Sequence, residues 1–113
     1  MKHTQLLKGV LEGCVLSIIS KEEIYGYELV QKLRKKGFKK IVGGTIYPLL
    51  QKLEKQGFIK SRILPSSEGP NRHYFSLTKI GKARLSGFKK QWRELAQKVE
   101  PILEESNENK GIN

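Results

Sequence analysis

The stretch that decides the fold reads Gly43-Gly44-Thr45-Ile46-Tyr47-Pro48-Leu49-Leu50-Gln51-Lys52-Leu53-Glu54-Lys55-Gln56-Gly57. Ile46, Leu49, Leu50 and Leu53 recur at helical spacing, which predicts a helix opened by the glycine pair, continuing to about Gln56 and stopped by Gly57. Pro48 is expected near its start, where the first four backbone N–H groups lack helical acceptors anyway. Thr45, Tyr47, Pro48, Gln51, Lys52 and Lys55 fall on the opposite side. One face anchors the helix, and the other carries hydroxyls, an amide and ammonium groups.

Two helices are expected before it. Leu6, Leu7, Val10, Leu11, Cys14, Val15 and Ile18 form one broad apolar face at helical spacing. Cys14 lies on that face, which fits core packing ahead of a redox role. Ser20 and Glu23 have the spacing of a capping box, with Ser20 starting the next helix. That helix points Tyr25, Leu29, Val30 and Leu33 inward, contains Gly26 as a point of close backbone approach, and ends at Lys35-Lys36-Gly37.

After Gly57 the pattern changes. Ile59 to Leu64 and Arg72 to Leu77 read as strands, with the turn-forming run Pro65-Ser66-Ser67-Glu68-Gly69-Pro70-Asn71 as a long projecting loop between them. Thr78 can cap a long final helix. Three helices followed by a hairpin is the order of a winged helix-turn-helix. The fold class is therefore mainly α with a small β-hairpin, divided into a winged domain over 1–78, a C-terminal helix over 79–105 and a fraying tail over 106–113.

Charge gives that order a purpose. The 113 residues carry a formal net charge of +11, with 22 Lys+Arg against 11 Asp+Glu. Lys32, Arg34, Lys35, Lys36, Lys39, Lys40, Lys52, Lys55, Lys60 and Arg62 lie in one span opposed only by Glu54. Such a ridge binds duplex DNA through counterion release, without reading sequence. Reading requires groups that reach base edges, and Thr45, Tyr47 and Gln51 are of that kind. Lys39, Lys40, Lys52, Lys55, Arg72 and His73 are the candidates for phosphate or wing contacts. The same helix face also fits a solvated surface, and His73 also fits a strand residue packed beside Phe75.

The last helix carries a second pattern. Leu85, Phe88, Trp92, Leu95, Val99 and Ile102 step by 3, 4, 3, 4 and 3, a narrow seam that calls for a partner helix. A second copy of the chain is the expected partner, with Gly87 permitting close approach and Pro101 kinking or ending the seam. A homodimer would place two reading helices about 34–36 Å apart on a palindromic site.

Other classes find little support in the residues. Cys14 is the sole cysteine, so neither an intramolecular disulfide nor paired-thiolate metal site exists. His3 and His73 are far apart, and no phosphate loop or nucleophile elbow occurs, so neither catalytic residue, metal nor cofactor is assigned. No run approaches the roughly 20 apolar residues of a membrane span, and the expected location is cytoplasmic. An RNA-binding basic module and a dimer for protein interaction without DNA are the alternatives. RNA readers more often stack bases on sheet aromatics.

Five motifs in order resemble the PadR-like transcriptional regulators: Leu7-Lys8-Gly9-Val10-Leu11-Glu12-Gly13, Tyr25-Gly26-Tyr27-Glu28-Leu29, Gly44-Thr45-Ile46-Tyr47-Pro48-Leu49-Leu50, Leu53-Glu54-Lys55-Gln56-Gly57-Phe58-Ile59 and Gly69-Pro70-Asn71-Arg72-His73-Tyr74-Phe75-Ser76-Leu77-Thr78. The resemblance spans about Leu6 to Glu104. It implies a bacterial repressor of the smaller subfamily, with one C-terminal dimerisation helix. In similar drug-sensing members a tryptophan on this helix lines a pocket at the dimer centre, and Trp92 falls at the matching position. Phe88 and Trp92 are thus candidates for an effector pocket. Lys89, Lys90 and Arg93 make its surroundings more basic than a cationic drug favours, which leaves a small aromatic or phenolic effector, or none. Seam packing alone is the other reading of Trp92.

Overall fold

A computed structural model describes residues 5–112, with side chains described over 5–105. The elements run α1 (Gln5–Lys21), β1 (Ile24–Tyr25), α2 (Gly26–Lys35), α3 (Gly43–Lys55), β2 (Ile59–Ser66), β3 (Gly69–Leu77) and α4 (Lys79–Ile112). The three strands form one antiparallel sheet in the order β1-β3-β2. This is the expected winged helix-turn-helix with one addition. The two-residue β1, too short for any periodic signature, makes the sheet three-stranded.

The start of α2 differs from expectation. α1 continues to Lys21, and the Ser20 hydroxyl donates back to the Ser17 carbonyl at 2.6 Å instead of capping α2. Tyr25 occupies the N-cap position and makes no side-chain cap bond. Glu23, freed from the capping box, instead takes a forked bond from Arg62.

Helices α2 and α3 end in the same way. The Gly37 and Phe38 amides donate to Arg34 and Leu33, and the Gly57 and Phe58 amides donate to Glu54 and Leu53. Both glycines have positive φ, 120° and 85°, the left-handed conformation this termination requires. Between the helices, Arg34 Nε donates to the Ile41 carbonyl at 2.7 Å, fixing the turn that aims α3. Pro48 lies six residues into α3, beyond the expected first turn, so it leaves one backbone acceptor of the helix without its usual donor.

The core comprises Leu11, Val15, Leu16 and Ile19 of α1, Leu29, Val30 and Leu33 of α2, Ile46, Leu50 and Leu53 of α3, and Ile24, Ile41, Ile59, Phe75 and Leu85. α1 is turned relative to the expected face. Leu16 and Ile19 are buried, whereas Leu6 is exposed and Leu7, Val10, Cys14 and Ile18 are half-buried. A helix whose apolar residues spread over several sides leaves its orientation to its neighbours, here α4, β3 and α2. Partial burial raises the Cys14 thiol above its ordinary pKa, which disfavours the thiolate.

The hairpin is longer and tighter than expected. Pairing runs from Ile59↔Leu77 to Ser66↔Gly69, leaving only Ser67 and Glu68 as the turn. The register shifts by one residue between Leu64 and Ser66. Pro65 lies at this irregularity with Pro70 and Asn71 across from it, and a bulge is where a sheet accommodates residues that cannot donate. The expected loop is thus itself strand.

Thr78 caps α4, as the sequence indicates. Its hydroxyl accepts from the Gly81 amide at 3.0 Å and donates to the Gly57 carbonyl at 2.6 Å, while its own amide donates to the Phe58 carbonyl. α4 is continuous past Pro101 and assigned to Ile112, beyond the expected end at 105. A single proline removes one helical bond, and here its neighbours from Val99 to Leu103 are exposed, where water can satisfy the freed carbonyl. Of the tail over 106–113, Asn113 lies outside the described residues.

Candidate nucleic-acid interface

Burial divides α3 as its sequence does. Ile46, Leu50 and Leu53 are buried and Leu49 is half-buried; Tyr47, Pro48, Gln51, Lys52 and Lys55 are exposed. Thr45 is half-buried, at the inner margin of that outer face.

Tyr47 is held by the absence of side chains beside it. A β-carbon on Gly43 would lie 2.6 Å from Tyr47 Cε2, and one on Gly26 would lie 3.1 Å from Cε1. The ring is therefore seated between two glycines, one on its own helix and one at the start of α2. Gly26 was expected to admit a neighbouring backbone; what it admits is the Tyr47 ring and, at 3.6 Å, Phe75.

Tyr47 and Gln51 share a cleft of about 340 Å³ with Tyr25, Gly26, Tyr27, Glu54, Asn71, His73 and Phe75. The structure thus joins two of the three reading candidates to His73 of the hairpin, which is exposed and borders the cleft beside Phe75. Tyr27 and Asn71 were missed by sequence reasoning. Tyr27 lies one residue into α2, whose start has no side-chain cap to mark it, and Asn71 sits among turn-forming residues that the bulge draws into β3.

The basic ridge is less uniform than its sequence. Lys32 Nζ bonds Glu22 at 2.6 Å, and Arg62 forks onto Glu23 at 2.7 and 2.6 Å. These contacts hold both carboxyls below, and the Arg62 guanidinium above, their ordinary pKa values. Glu54 accepts from the Ser61 hydroxyl at 2.6 Å. Lys39 and Lys40 lie exposed on the turn before α3, and none of the ion pairs among the described residues involves them, Lys52, Lys55 or Arg72. Arg72 instead lies over the Tyr25 ring, 4.8 Å from its centroid.

The seam residues divide. Leu85 is buried in the core of its own chain, and Phe88 is half-buried, with one side packed on Gly13 of α1. Trp92, Leu95, Val99 and Ile102 are 48%, 52%, 40% and 64% exposed, leaving an apolar stripe without a partner in the single chain. Phe88 borders a cleft of about 610 Å³ between α1 and α4 with Lys8, Glu12, Arg84 and Gln91. Trp92 does not line this cleft.

A helix-turn-helix with a locked turn, flanked by a β-hairpin and followed by a long helix, defines the winged helix-turn-helix class of transcriptional regulator. Residues 15–87 match the model of the transcriptional regulator PadR-like family, and the chain belongs to that family. It is 63% identical to a Streptococcus transcriptional regulator of known crystal structure, with 88% of this chain and 98% of that one covered at a TM-score of 0.80. A PadR-like transcriptional regulator from Bacillus cereus is 47% identical, covering 88% and 97% at the same TM-score. An uncharacterised protein from Lysinibacillus sphaericus is 31% identical over 106 residues, 92% of this chain and 97% of that one. Members of this family are regulators rather than enzymes. Among the described residues, no helix is long and apolar enough to cross a membrane.

Proposed function

We propose that this regulator represses transcription by binding a palindromic operator as a homodimer. The outer face of α3 carries the reading: Tyr47 and Gln51 are exposed beside Lys52 and Lys55, and they share a cleft with His73 of the wing. Tyr47, Gln51 and Thr45 read base edges, whereas Lys39, Lys40, Lys52, Lys55, Arg72 and His73 engage phosphates or the adjacent groove. Dimerisation buries the stripe of Trp92, Leu95, Val99 and Ile102. Full burial of such a side chain gains roughly 1.5–3 kcal/mol, and these are already about half covered, so each gains about half of that, still a drive toward pairing.

The test is binding of the purified protein to duplex from its own promoter region, against scrambled duplex and across a salt series. Promoter preference with two chains per site is expected. Equal, weak binding to both duplexes would defeat the reading and turn attention to RNA or protein partners.

A regulated form of the same reading makes Trp92 the sensor of a small aromatic or phenolic effector. Its half-exposed indole on an open stripe supports this, as do the nearby Lys89, Lys90 and Arg93, whose charge suits an anion. Titration with phenolic acids should quench or shift Trp92 fluorescence and weaken operator binding. An unchanged spectrum across a broad panel leaves Trp92 as packing alone.

A further inference from the structure

Arg62 and Arg72 are the two arginines of the wing, and they are held in different ways. Arg62 forks onto Glu23, so its charge is compensated where it lies. Arg72 sits in none of the ion pairs among the described residues; its guanidinium carbon is 4.8 Å from the centre of the Tyr25 ring. A carboxylate fixes a guanidinium and neutralises it. An aromatic face fixes it too, and leaves the full positive charge and the N–H fork available to an outside anion.

The ring that performs this is itself well supported. Tyr25 pairs with Tyr74 across β1 and β3, with ring centroids 5.8 Å apart and planes at 36°. The Tyr27 ring is also near it, with centroids 6.3 Å apart. Tyr74 and Arg72 are two apart on β3 and so share a sheet face, which brings Arg72 diagonally across to Tyr25. Tyr25 is half-buried and Arg72 exposed. The guanidinium held over this ring faces solvent.

We infer that Tyr25 is a positioning residue for DNA binding, holding Arg72 of the wing in place for a backbone phosphate without neutralising it. This rests on the reading of the protein as a DNA-binding regulator. It assigns the phosphate contact to Arg72 and denies it to Arg62, a distinction that composition does not offer.

The test is a double-mutant cycle on promoter duplex with Arg72→Ala, Tyr25→Leu and the pair, alongside Tyr25→Phe. Tyr25→Leu should weaken binding about two- to fivefold, the span of an exposed cation–π contact. It should have no further effect once Arg72→Ala is present, and Tyr25→Phe should bind as the wild type does. Equal losses from Tyr25→Leu in both backgrounds would overturn the inference while leaving the functional reading intact. Absence of promoter binding by the wild type would overturn both. A second measurement needs no variant: in the free protein, the Arg72 Nε–H should be as ordered by NMR relaxation as that of Arg62. An Arg72 Nε–H as mobile as that of the exposed Arg93 would also overturn it.

Discussion

The Phe58 carbonyl oxygen lies against the α-carbon of Gly81, leaving no space for a side chain at position 81. Around this contact, Thr78 bonds both Gly57 and Phe58, and the Arg84 guanidinium lies 5.0 Å over the Phe58 ring while bonding Glu12 at 2.8 Å. The first turn of α4 is therefore fastened to the residues that end α3. The helix bearing the open apolar stripe and the helix bearing Tyr47 and Gln51 meet there with little intervening chain.

Gly81→Ala should destabilise the fold by about 1–3 kcal/mol, because the clash is with backbone that no rotamer change can relieve. Urea denaturation of the two proteins checks this. Gly87→Ala, at a position where a β-carbon meets nothing within 4 Å of its own chain, should leave the stability of the single chain unchanged or slightly raised.

Gly13 and Phe88 should behave as a coupled pair. A β-carbon at 13 would fall on the Phe88 ring, which can move aside at some cost. Gly13→Ala should lower the melting temperature, and its effect should shrink when combined with Phe88→Ala. Additive effects in this cycle would show that the two do not share a packing site.

The seating of Tyr47 predicts a loss of specificity without loss of stability. Gly43→Ala costs the helix nothing in propensity, yet its methyl group displaces the ring. Discrimination between operator and scrambled duplex should fall as for Tyr47→Ala or Gln51→Ala, for which about 1–3 kcal/mol is expected. Lys52→Ala should instead weaken all duplexes alike and reduce the salt slope by about one. Filter binding across a salt series separates the two patterns.

Glu23 gives the hairpin an acid-sensitive tie. Arg62 holds its carboxyl below the ordinary pKa, so the charged form is favoured in the folded state. That stability is present above the unfolded pKa and is lost as pH falls through the folded value. Glu23→Gln should therefore lower the melting temperature slightly at pH 7, and the difference from wild type should close as both are taken to acid. Both groups are solvent-exposed, so the effect is small.

The helices, their glycine stops and the division of α3 into an anchored and an equipped face were legible in the chain. These depend on local spacing and on backbone conformations open to few residues. Thr78 as a cap is legible for the same reason, since the bond spans only three residues. The orientation of α1, the identity of β1 and the length of the wing were not. α1 is apolar on too many sides to prefer one, β1 exists only because β3 passes beside it, and Pro65, Pro70 and Asn71 read as loop until the bulge places them in strands.

Charge shows the same division. The order of residues suffices to make a basic chain with its lysines and arginines gathered around a helix-turn-helix. Folding sets which of those charges are compensated and which stay open to an outside anion: Glu23 meets Arg62 across 39 residues, whereas Arg72 lies over an aromatic ring. It also draws Leu85 into the core and sets the half-buried Phe88 against Gly13. Periodicity records which face of a helix is apolar, and only packing determines what that face meets.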